Sequence, residues 1–478
     1  MDRIVSAAQV AAMLPPRATG TPAYQGLAES LRLLILDGQL VADLRLPSER
    51  ELSGALQLSR STVAGAYALL RERGLLTARR GAGNYVTVDT GSLTSELLPA
   101  PTFSRDGMIG LTCASSEAPA GLAGAYARAL EQLPGLLAGT GYFPDGLPVL
   151  REQLAAWFTG RGLPTSADQL IITAGALAGL NVVARALLSP GDRVLLESPT
   201  YSNAITALHR SGARPVGLPV GGQADPWEAW DVEQTLRQAP PRLAYLIPDF
   251  HNPTGHLMPA GVRGTVATAL RRHRSVPVVD ESLVELFLDG AAPPPPFASF
   301  APGAVTIGSA SKAFWGGLRI GWVRAPHALV GRMVDARATL ELGAAPVEQL
   351  VLSELLTQSS GLLAGRRAAL RVRRDHLLAA LDRLLPDWEP NRPTGGLSVW
   401  TRLPEPVARQ VAAAAHEHGV LVTPGPRFHV RSGGERHLRL PFTAPESVLT
   451  EAVRRLVAAD RDVRAGQRFR TRSLDLSA

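Results

Sequence analysis

Between residues 170 and 311, short apolar runs alternate with stretches whose apolar residues have helical spacing. This alternation constrains the fold most, because runs of this type are typical of strands that are buried on both faces. It predicts an α/β domain with a mainly parallel central sheet and helices on both faces. Several runs end in polar residues, at the sheet edge where such folds bind ligands. The clearest runs are LIITAG (Leu170–Gly175), RVLLES (Arg193–Ser198), LAYLIP (Leu243–Pro248), VPVVDES (Val276–Ser282) and AVTIGSAS (Ala304–Ser311).

The composition narrows the class of protein. Of the 478 residues, 45% are hydrophobic and 19% are charged, a balance that excludes global disorder. One cysteine, Cys113, excludes a disulfide framework and a Cys-rich metal site, and it is typical of a reducing cytoplasm. No apolar run reaches the roughly 18 residues that span a bilayer, and the N-terminus lacks the basic region of a secretory signal. We therefore expect a soluble cytoplasmic protein without a metal or a membrane partner.

Lysine is almost absent from the chain. Lys312 is the only lysine among 49 Lys and Arg residues, which face 42 Asp and Glu residues. A compositional bias that replaced Lys wherever any cation sufficed explains the excess of Arg. A site that needs a primary amine cannot accept this replacement, because a guanidinium stays protonated and forms no Schiff base. Lys312 is therefore the first candidate for a reactive residue, whereas the net charge of +7 is weak evidence for a nucleic-acid partner.

Residues 24–88 have the pattern of a compact helical unit. A first helix, from Tyr24 onwards, has apolar residues at helical spacing. A second opens at Ser48, with Glu51 three residues later as in a capping box. A third begins after Ser59, and a segment that alternates around a glycine turn follows it, as in a hairpin. Two short helices, a tight turn and a hairpin predict a winged helix-turn-helix domain.

In such a domain the helix that follows the turn presents its first residues to the major groove of DNA. Here these residues are Arg60, Ser61 and Thr62, a fork donor for guanine or phosphate and two hydroxyls. Arg79 and Arg80 lead into the wing turn, where glycine lets the backbone approach phosphates. An ordinary helical bundle with a solvated basic face is the alternative for any single arginine.

The stretch LPSERELSGALQLSRSTVAGAYALLRERGLLTARRGAGNYV resembles the GntR-type winged helix over nearly its whole length. The resemblance implies a dimer that binds paired half-sites of a double-stranded DNA operator, with Arg50, Arg60, Thr62 and Gly83 facing the DNA. The full set of residues that we expect at the DNA is Arg50, Ser59, Arg60, Ser61, Thr62, Arg80, Gly81 and Gly83.

Chemically distinctive residues collect at the expected carboxyl edge of the large sheet. A lone amine, a strand-end carboxylate and an Asn-Pro turn each follow a strand. One strand-to-helix junction offers free backbone amides, which suit an anion. The residues concerned are Gly175, Ala176 and Leu177 at the junction, Asn252, Asp280, and Lys312 with Ser309, Ser311 and Arg319 beside it.

These groups suit pyridoxal 5′-phosphate (PLP). Lys312 would form a Schiff base with its aldehyde, and Asp280 would keep the pyridine nitrogen protonated. Asn252 would hydrogen-bond the ring 3-oxygen, and Tyr201 would stack on the ring. Other roles stay open for three residues. Asp280 could serve only to cap the end of its strand, Asn252 only to form a turn, and Tyr201 only to pack in the core. The phosphate would be held by Gly175, Ala176, Leu177, Ser309, Ser311 and Arg319.

From Ala125 to Pro441 the chain resembles the fold-type I aminotransferases, with HNPTG, the strand-end Asp, SxSK, GLRIGW and RHLRLPF in the order of that family. The segment 141–163 and the spacing after Lys312 resemble the subfamily fused behind a GntR winged helix, the MocR-type regulators. The resemblance implies that Arg439 binds the α-carboxylate of a substrate or effector. It also implies that Tyr142 reaches the phosphate of a neighbouring subunit.

The sequence departs from this family after Asp280. The family usually has a tyrosine two or three residues later that bonds the ring 3-oxygen, and here these positions are Ser282 and Leu283. Ala176 and Leu177 also stand where MocR-type proteins often carry polar side chains. We therefore expect PLP to bind and efficient turnover to be absent.

The sequence thus predicts a one-component regulator, a homodimer whose aminotransferase-like module senses PLP or a carboxylate-bearing amino compound. Two alternatives are an active aminotransferase with an accessory DNA-binding domain and a repressor with a cofactor-free dimerisation module. The basic tail is either solvated or a supplementary phosphate contact. The predicted segments are an N-terminal extension (1–23), the winged helix-turn-helix (24–88), a linker (89–110), the PLP-binding effector domain (111–460) and the basic tail (461–478).

Overall fold

The computed structural model describes residues 4–14, 22–36, 40, 44–79, 83–87, 107–221, 226–290 and 292–467. The chain divides into two units, the first comprising Met1–Leu97 with Ala118–Leu130 and the second comprising Leu98–Glu117 with Glu131–Ala478. Most of the predicted linker and most of the predicted basic tail lie outside the described residues.

The first unit contains a helix-turn-helix and a hairpin, as predicted. The second helix of the prediction opens with a capping box, in which Glu51 N–H donates to Ser48 Oγ (3.3 Å) and Ser48 N–H donates to the Glu51 carboxylate (2.8 Å). The third begins after Ser59, whose Oγ accepts from Thr62 N–H at 3.1 Å. The elements are α1 (Ala7–Met13), α2 (Ala23–Leu36), α3 (Glu49–Leu56), α4 (Arg60–Glu72) and the antiparallel pair β1 (Leu76–Arg79) and β2 (Gly83–Val86).

The core of this unit forms where α2 packs on α4. The apolar residues of α2 that have helical spacing, Leu27, Leu31, Leu34 and Ile35, are all buried. Tyr67 of α4 is fully buried, and its hydroxyl donates to the Pro47 carbonyl at 2.9 Å. Burial of side chains of this size contributes roughly 1.5–3 kcal/mol each, so packing fixes the orientation of α4.

Two sheets organise the second unit. Its strands are β3 (Ile109–Leu111), β4 (Leu170–Thr173), β5 (Arg193–Ser198), β6 (Arg214–Pro219), β7 (Leu243–Leu246), β8 (Val276–Asp280), β9 (Val305–Ser309), β10 (Gly321–Arg324), β11 (Glu389–Pro390), β12 (Ser398–Arg402), β13 (Val420–Pro424) and β14 (His437–Pro441).

Twelve α-helices of the described chain follow β3 in sequence. Except for the first, whose N-terminal residues belong to the first unit, they lie wholly in the second unit. They are α5 (Leu122–Leu137), α6 (Pro148–Gly160), α7 (Ala176–Leu187), α8 (Ser202–Arg210), α9 (Ala229–Gln238), α10 (Ala260–Arg272), α11 (Ala310–Ala313), α12 (His327–Ala338), α13 (Pro346–Thr357), α14 (Ser359–Leu384), α15 (Ala408–Glu417) and α16 (Glu446–Arg464).

The large sheet has the order β4-β10-β9-β8-β7-β5-β6. The pairs β5–β6, β5–β7, β7–β8 and β8–β9 are parallel, which confirms the mainly parallel sheet of the prediction. Strand β10 runs antiparallel to both of its neighbours, β4 and β9. The short connection 310–320 explains this reversal, because a parallel crossover needs a dozen or more residues.

The smaller sheet has the order β11-β12-β14-β13-β3, with β3 parallel to β13. Strand β3 begins at Ile109, so the last two residues of the predicted linker belong to this sheet. At the other end, α16 continues to Arg464, so the predicted tail is helical over its first four residues. Arg464 there contacts Asp460 at 2.7 Å and Asp387 at 2.8 Å.

No helix in the described part of the chain combines the length and the apolar composition that crossing a bilayer requires.

Candidate functional site

The candidate site lies at the edge of the large sheet where β4, β7, β8 and β9 end. Parallel strands bring their carboxyl ends to one edge, so the residues that follow them meet there. The sequence places Gly175 after β4, Asn252 after β7, and Asp280 and Ser309 at the last positions of β8 and β9. The antiparallel β10 starts at the same edge, which brings Arg319 to it.

Lys312 lies in the short helix α11, directly after β9. Its Nζ donates to the carbonyl of Ala114 at 2.9 Å. Burial lowers the pKa of the Lys312 amine below its usual value, and it is the main cause of that shift. A lowered pKa favours the neutral amine, which is the nucleophilic form.

Asp280 ends β8 and is nearly buried. One carboxylate oxygen accepts from the hydroxyl of Tyr245 at 2.8 Å, and the other accepts from the backbone N–H of Ser282 at 2.9 Å. Two hydrogen bonds fix the orientation of this carboxylate, the kind of group that can bind a protonated ring nitrogen.

Arg439 lies in β14 and is fully buried. Its guanidinium donates to the Thr112 carbonyl and to Asn252 Oδ1, the latter at 3.4 Å, and it lies 4.9 Å from the ring centroid of Phe428. Its Nε is buried without a hydrogen-bond partner among the described residues. Burial lowers the pKa of Arg439 to about 10, so the group is still a cation at neutral pH.

The anion-binding end of the site is the start of α7. Gly175 precedes this helix with a φ of 97°, a conformation that favours glycine. The first N–H groups of a helix lack intrahelical partners and, with the helix dipole, attract an anion. Arg319 donates to the Ala174 carbonyl at 3.0 Å, and Ser311 Oγ is buried without a partner in the described part of the chain.

The two predicted tyrosines differ in position. Tyr201 precedes α8 and accepts a hydrogen bond from Asn203 at 3.1 Å; burial raises the pKa of its phenol. Tyr142 is 63% exposed and does not line the site of its own chain.

A single cavity of about 280 Å³ joins these groups. Three cations and one carboxylate line it, together with buried groups of Ser282, Ser311 and Arg439 that have no hydrogen-bond partner among the described residues. This donor set fits PLP, which carries a phosphate, an aldehyde and a ring nitrogen. The predicted residues that line the cavity are Ala176, Leu177, Tyr201, Asn252, Asp280, Ser309, Ser311, Lys312, Arg319 and Arg439.

The structure also adds residues that the sequence did not single out. Tyr245 lies within the apolar run LAYLIP, where nothing distinguishes it from a core residue. Thr112 and Ala114 contribute backbone carbonyls, which every residue has, so the sequence carries no signal for them. In the first unit, the Arg45 guanidinium lies against Gly83, with Nε 3.2 Å from where a Cβ would stand.

The predicted DNA-contacting residues in the described part of the chain lie on the first unit. Ser59 Oγ caps α4 and also hydrogen-bonds the hydroxyls of Ser61 (2.8 Å) and Thr62 (2.7 Å). Thr62 is half-buried, whereas Arg50, Ser59, Arg60, Ser61 and Gly83 are exposed. Arg80 and Gly81 lie outside the described residues.

Two families of known proteins match the chain. Residues 137–456 match the class I and II aminotransferases, and residues 23–86 match the GntR family of bacterial regulatory proteins. Together these matches cover both structural units in the order that the sequence predicts.

Individual relatives represent both kinds of protein. Over 321 residues, 65% of this chain and 79% of the relative, the sequence is 33% identical to a 2-aminoadipate transaminase of Thermus thermophilus. Over 461 residues, 90% of this chain and 94% of the relative, it is 28% identical to the HTH-type transcriptional regulator YisV of Bacillus subtilis.

Solved structures agree with the fold. The α-aminoadipate aminotransferase LysN of Thermus thermophilus, in complex with N-(5′-phosphopyridoxyl)-L-leucine, has a TM-score of 0.68 at 30% identity. The similarity covers 76% of this chain and 94% of that one. The chain therefore belongs to the class I and II aminotransferase family, with PLP as the cofactor of its fold, and its GntR-type helix-turn-helix gives it the architecture of a MocR-type transcriptional regulator.

Proposed function

We propose that this regulator senses PLP, or an amino compound joined to PLP, in the cavity of its second unit. Ligand binding there changes the affinity of its winged helix for DNA. It acts as a cytoplasmic dimer on paired half-sites. In this proposal residues 24–88 bind DNA, residues 111–460 bind the ligand and residues 89–110 connect them.

Lys312 is the observation that carries the proposal. It is the only lysine of the chain, and it lies in the same cavity as Asp280 and Arg439. Lys312 forms a Schiff base with the aldehyde of the cofactor, and Asp280 keeps a proton on the ring nitrogen. Bound PLP supplies an electron-withdrawing ring to an amino compound attached to it.

The phosphate is bound by the amides of Gly175, Ala176 and Leu177, with Ser309, Ser311 and Arg319. Asn252 contacts the ring 3-oxygen, Tyr201 stacks on the ring and Tyr142 reaches the phosphate of the partner subunit. The phosphate contacts are supported by the helix N-terminus after Gly175 and by the buried Ser311 hydroxyl, which has no hydrogen-bond partner among the described residues.

Arg439 recognises the effector. Its planar fork matches a carboxylate, and its buried Nε has no partner within the described chain, so it has a donor to offer. An effector that bears an α-carboxylate and an amine would place its carboxylate on Arg439 and join its amine to the cofactor aldehyde, which would break the bond to Lys312 and release the Lys312 amine. To change DNA binding, it must favour one arrangement of the dimer over another.

Borohydride reduction of the PLP-loaded protein, followed by peptide mass spectrometry, tests the central step. We expect one phosphopyridoxyl adduct, on Lys312, and none in the Lys312→Ala variant. A PLP-loaded protein that is unmodified at Lys312 after reduction excludes the Schiff base. Operator binding measured with and without PLP and a panel of amino acids then tests sensing.

A second candidate is a working aminotransferase with an accessory DNA-binding unit. The 33% identity to a 2-aminoadipate transaminase and the buried Arg439 favour it. Leu283 disfavours it, because no phenol stands where the family bonds the ring 3-oxygen. Steady-state turnover with 2-aminoadipate and 2-oxoglutarate decides between them: a rate of roughly 1 per second or more is that of an ordinary enzyme and contradicts a sensor without turnover.

A further inference from the structure

Tyr245 is a buried phenol that no role described so far uses. It lies in β7, is 1% exposed, and stands opposite Val278 in the parallel register of β7 and β8. Asp280 is two residues beyond Val278 on β8. Residues two apart on a strand share a face of the sheet, so the register brings Tyr245 and Asp280 to the same face.

The contact between the two side chains is a short hydrogen bond. The Tyr245 hydroxyl donates to one oxygen of Asp280 at 2.8 Å, while the other oxygen accepts from the Ser282 N–H. Burial, with the charge of Asp280, raises the pKa of Tyr245 well above its usual value. The phenol therefore stays protonated and acts as a donor. Each carboxylate oxygen has two lone pairs, so the contact leaves capacity for a ligand.

We propose that Tyr245 is a positioning residue, which holds the Asp280 carboxylate in place for the ring nitrogen of the cofactor. The inference rests on the proposed binding of PLP in this cavity. A hydrogen bond to an ionised group is stronger than one between neutral groups, so the phenol fixes the Asp280 carboxylate in one orientation. A carboxylate held at the ring nitrogen stabilises the proton there, and a carboxylate that has turned away does so less.

Other titratable groups near this pair do not replace the contact. Tyr201 and Glu197 lie near Tyr245, and Lys312 lies near Asp280. Glu197 is already engaged by the indole N–H of Trp227 (2.6 Å) and the backbone N–H of Ile247 (2.8 Å). Leu283 contributes no donor to the site. Among the described residues, Tyr245 is the side chain that donates to Asp280, beside the backbone N–H of Ser282.

The Tyr245→Phe variant removes the hydroxyl and keeps the ring. We expect its dissociation constant for PLP to rise by about tenfold or more, the effect of losing one hydrogen bond to a charged group. Nitrogen NMR of isotope-labelled PLP reads the protonation of the ring directly. The pH at which the ring nitrogen loses its proton should fall by about one unit.

The matched control is Tyr67→Phe, which removes a hydroxyl that is equally buried and hydrogen-bonded but lies in the first unit. It should change neither PLP affinity nor the nitrogen signal. In the background of Asp280→Asn, Tyr245→Phe should have little further effect, because its action passes through Asp280. A purely structural role predicts equal effects in both backgrounds.

Two results separate failure of this inference from failure of the proposed function. If the wild-type protein does not bind PLP, the proposed function is wrong. If the wild-type protein binds PLP and Tyr245→Phe matches it in affinity and in nitrogen titration, only the role of Tyr245 is wrong.

Discussion

Burial of the Lys312 amine sets the pH range in which it reacts. Desolvation is the main cause of a pKa below the ordinary 10.5 of lysine. Only the neutral amine attacks an aldehyde, so a lowered pKa enlarges the reactive fraction at any pH below 10.5. We expect the rate of PLP loading by the apo-protein to rise with pH and to level off before pH 10.5, as followed by visible absorption in a stopped-flow instrument. A rate that is still rising at pH 10.5 would indicate an amine that behaves as it does in water.

A substitution of Arg60 tests whether α4 is the helix that enters the major groove of DNA. Arg60 is exposed at the first residue of α4, where a guanidinium can form two hydrogen bonds to the edge of a guanine base. Arg60→Ala should weaken binding to an operator selected by the wild-type protein by about 10- to 100-fold, and it should relax sequence preference. Arg454→Ala on α16, also exposed, loses the same charge in the second unit and serves as the control in fluorescence anisotropy. Operator affinity equal to that of the wild type would show that Arg60 does not read bases.

At the residue scale, the sequence identifies groups whose chemistry is distinctive. Lys312 stands out because it is unique, and the strand-end position of Asp280 marks it as a candidate. Tyr245 is not identifiable, because a phenol within an apolar run looks like core until the register of β7 and β8 is known. The carbonyls of Thr112 and Ala114 are not identifiable either, because every residue has a backbone carbonyl and the side chain does not indicate which ones accept hydrogen bonds.

At the scale of the element, the N-terminus of α7 depends on a backbone conformation that favours glycine. Gly175 has a φ of 97°, and an added Cβ would stand 3.0 Å from the Arg319 guanidinium. Gly191 has a similar φ of 91° and open space around it. Both Gly175→Ala and Gly191→Ala should therefore lower the free energy of unfolding by about 1–3 kcal/mol, and this pair separates backbone strain from the contact with Arg319.

Only Gly175→Ala should also weaken PLP binding, by about tenfold, because it displaces a guanidinium that lines the cavity. Isothermal titration with PLP and denaturant unfolding measure the two effects on the same samples. Equal PLP affinities in the two variants would contradict the role given to this junction.

Element boundaries were predictable where local side chains set them. Ser48, Glu51 and Ser59 mark helix starts by their own hydrogen bonds, and the structure has α3 and α4 at these positions. The reversed direction of β10 and the pairing of β3 with β13 were not predictable. Strand β3 pairs with residues about 300 positions later, and no local pattern encodes such a contact.

At the scale of the whole molecule, the first described residues after the predicted linker contribute to the site. Strand β3 adds to the small sheet beside β13, which in turn pairs with the strand of Arg439. Directly after β3, the Thr112 carbonyl accepts from Arg439 and the Ala114 carbonyl accepts from Lys312. We expect a ligand that engages these two cations to compete with both carbonyls, which lie in the segment that follows the predicted linker.

This arrangement predicts a measurable coupling between ligand and DNA. PLP with its effector amino acid should change the operator dissociation constant by roughly 5- to 150-fold, the usual size of an allosteric coupling of 1–3 kcal/mol. By linkage, the operator must change ligand affinity by the same factor, so anisotropy and calorimetry measure one quantity in two ways. In the Arg439→Met variant, the amino acid should no longer change the operator dissociation constant. In the Arg392→Met variant, which removes an exposed arginine, the amino acid should change that constant by the same factor as in the wild type. Operator affinity that is identical with and without ligand in the wild-type protein would contradict sensing, because a ligand that binds two states equally shifts neither.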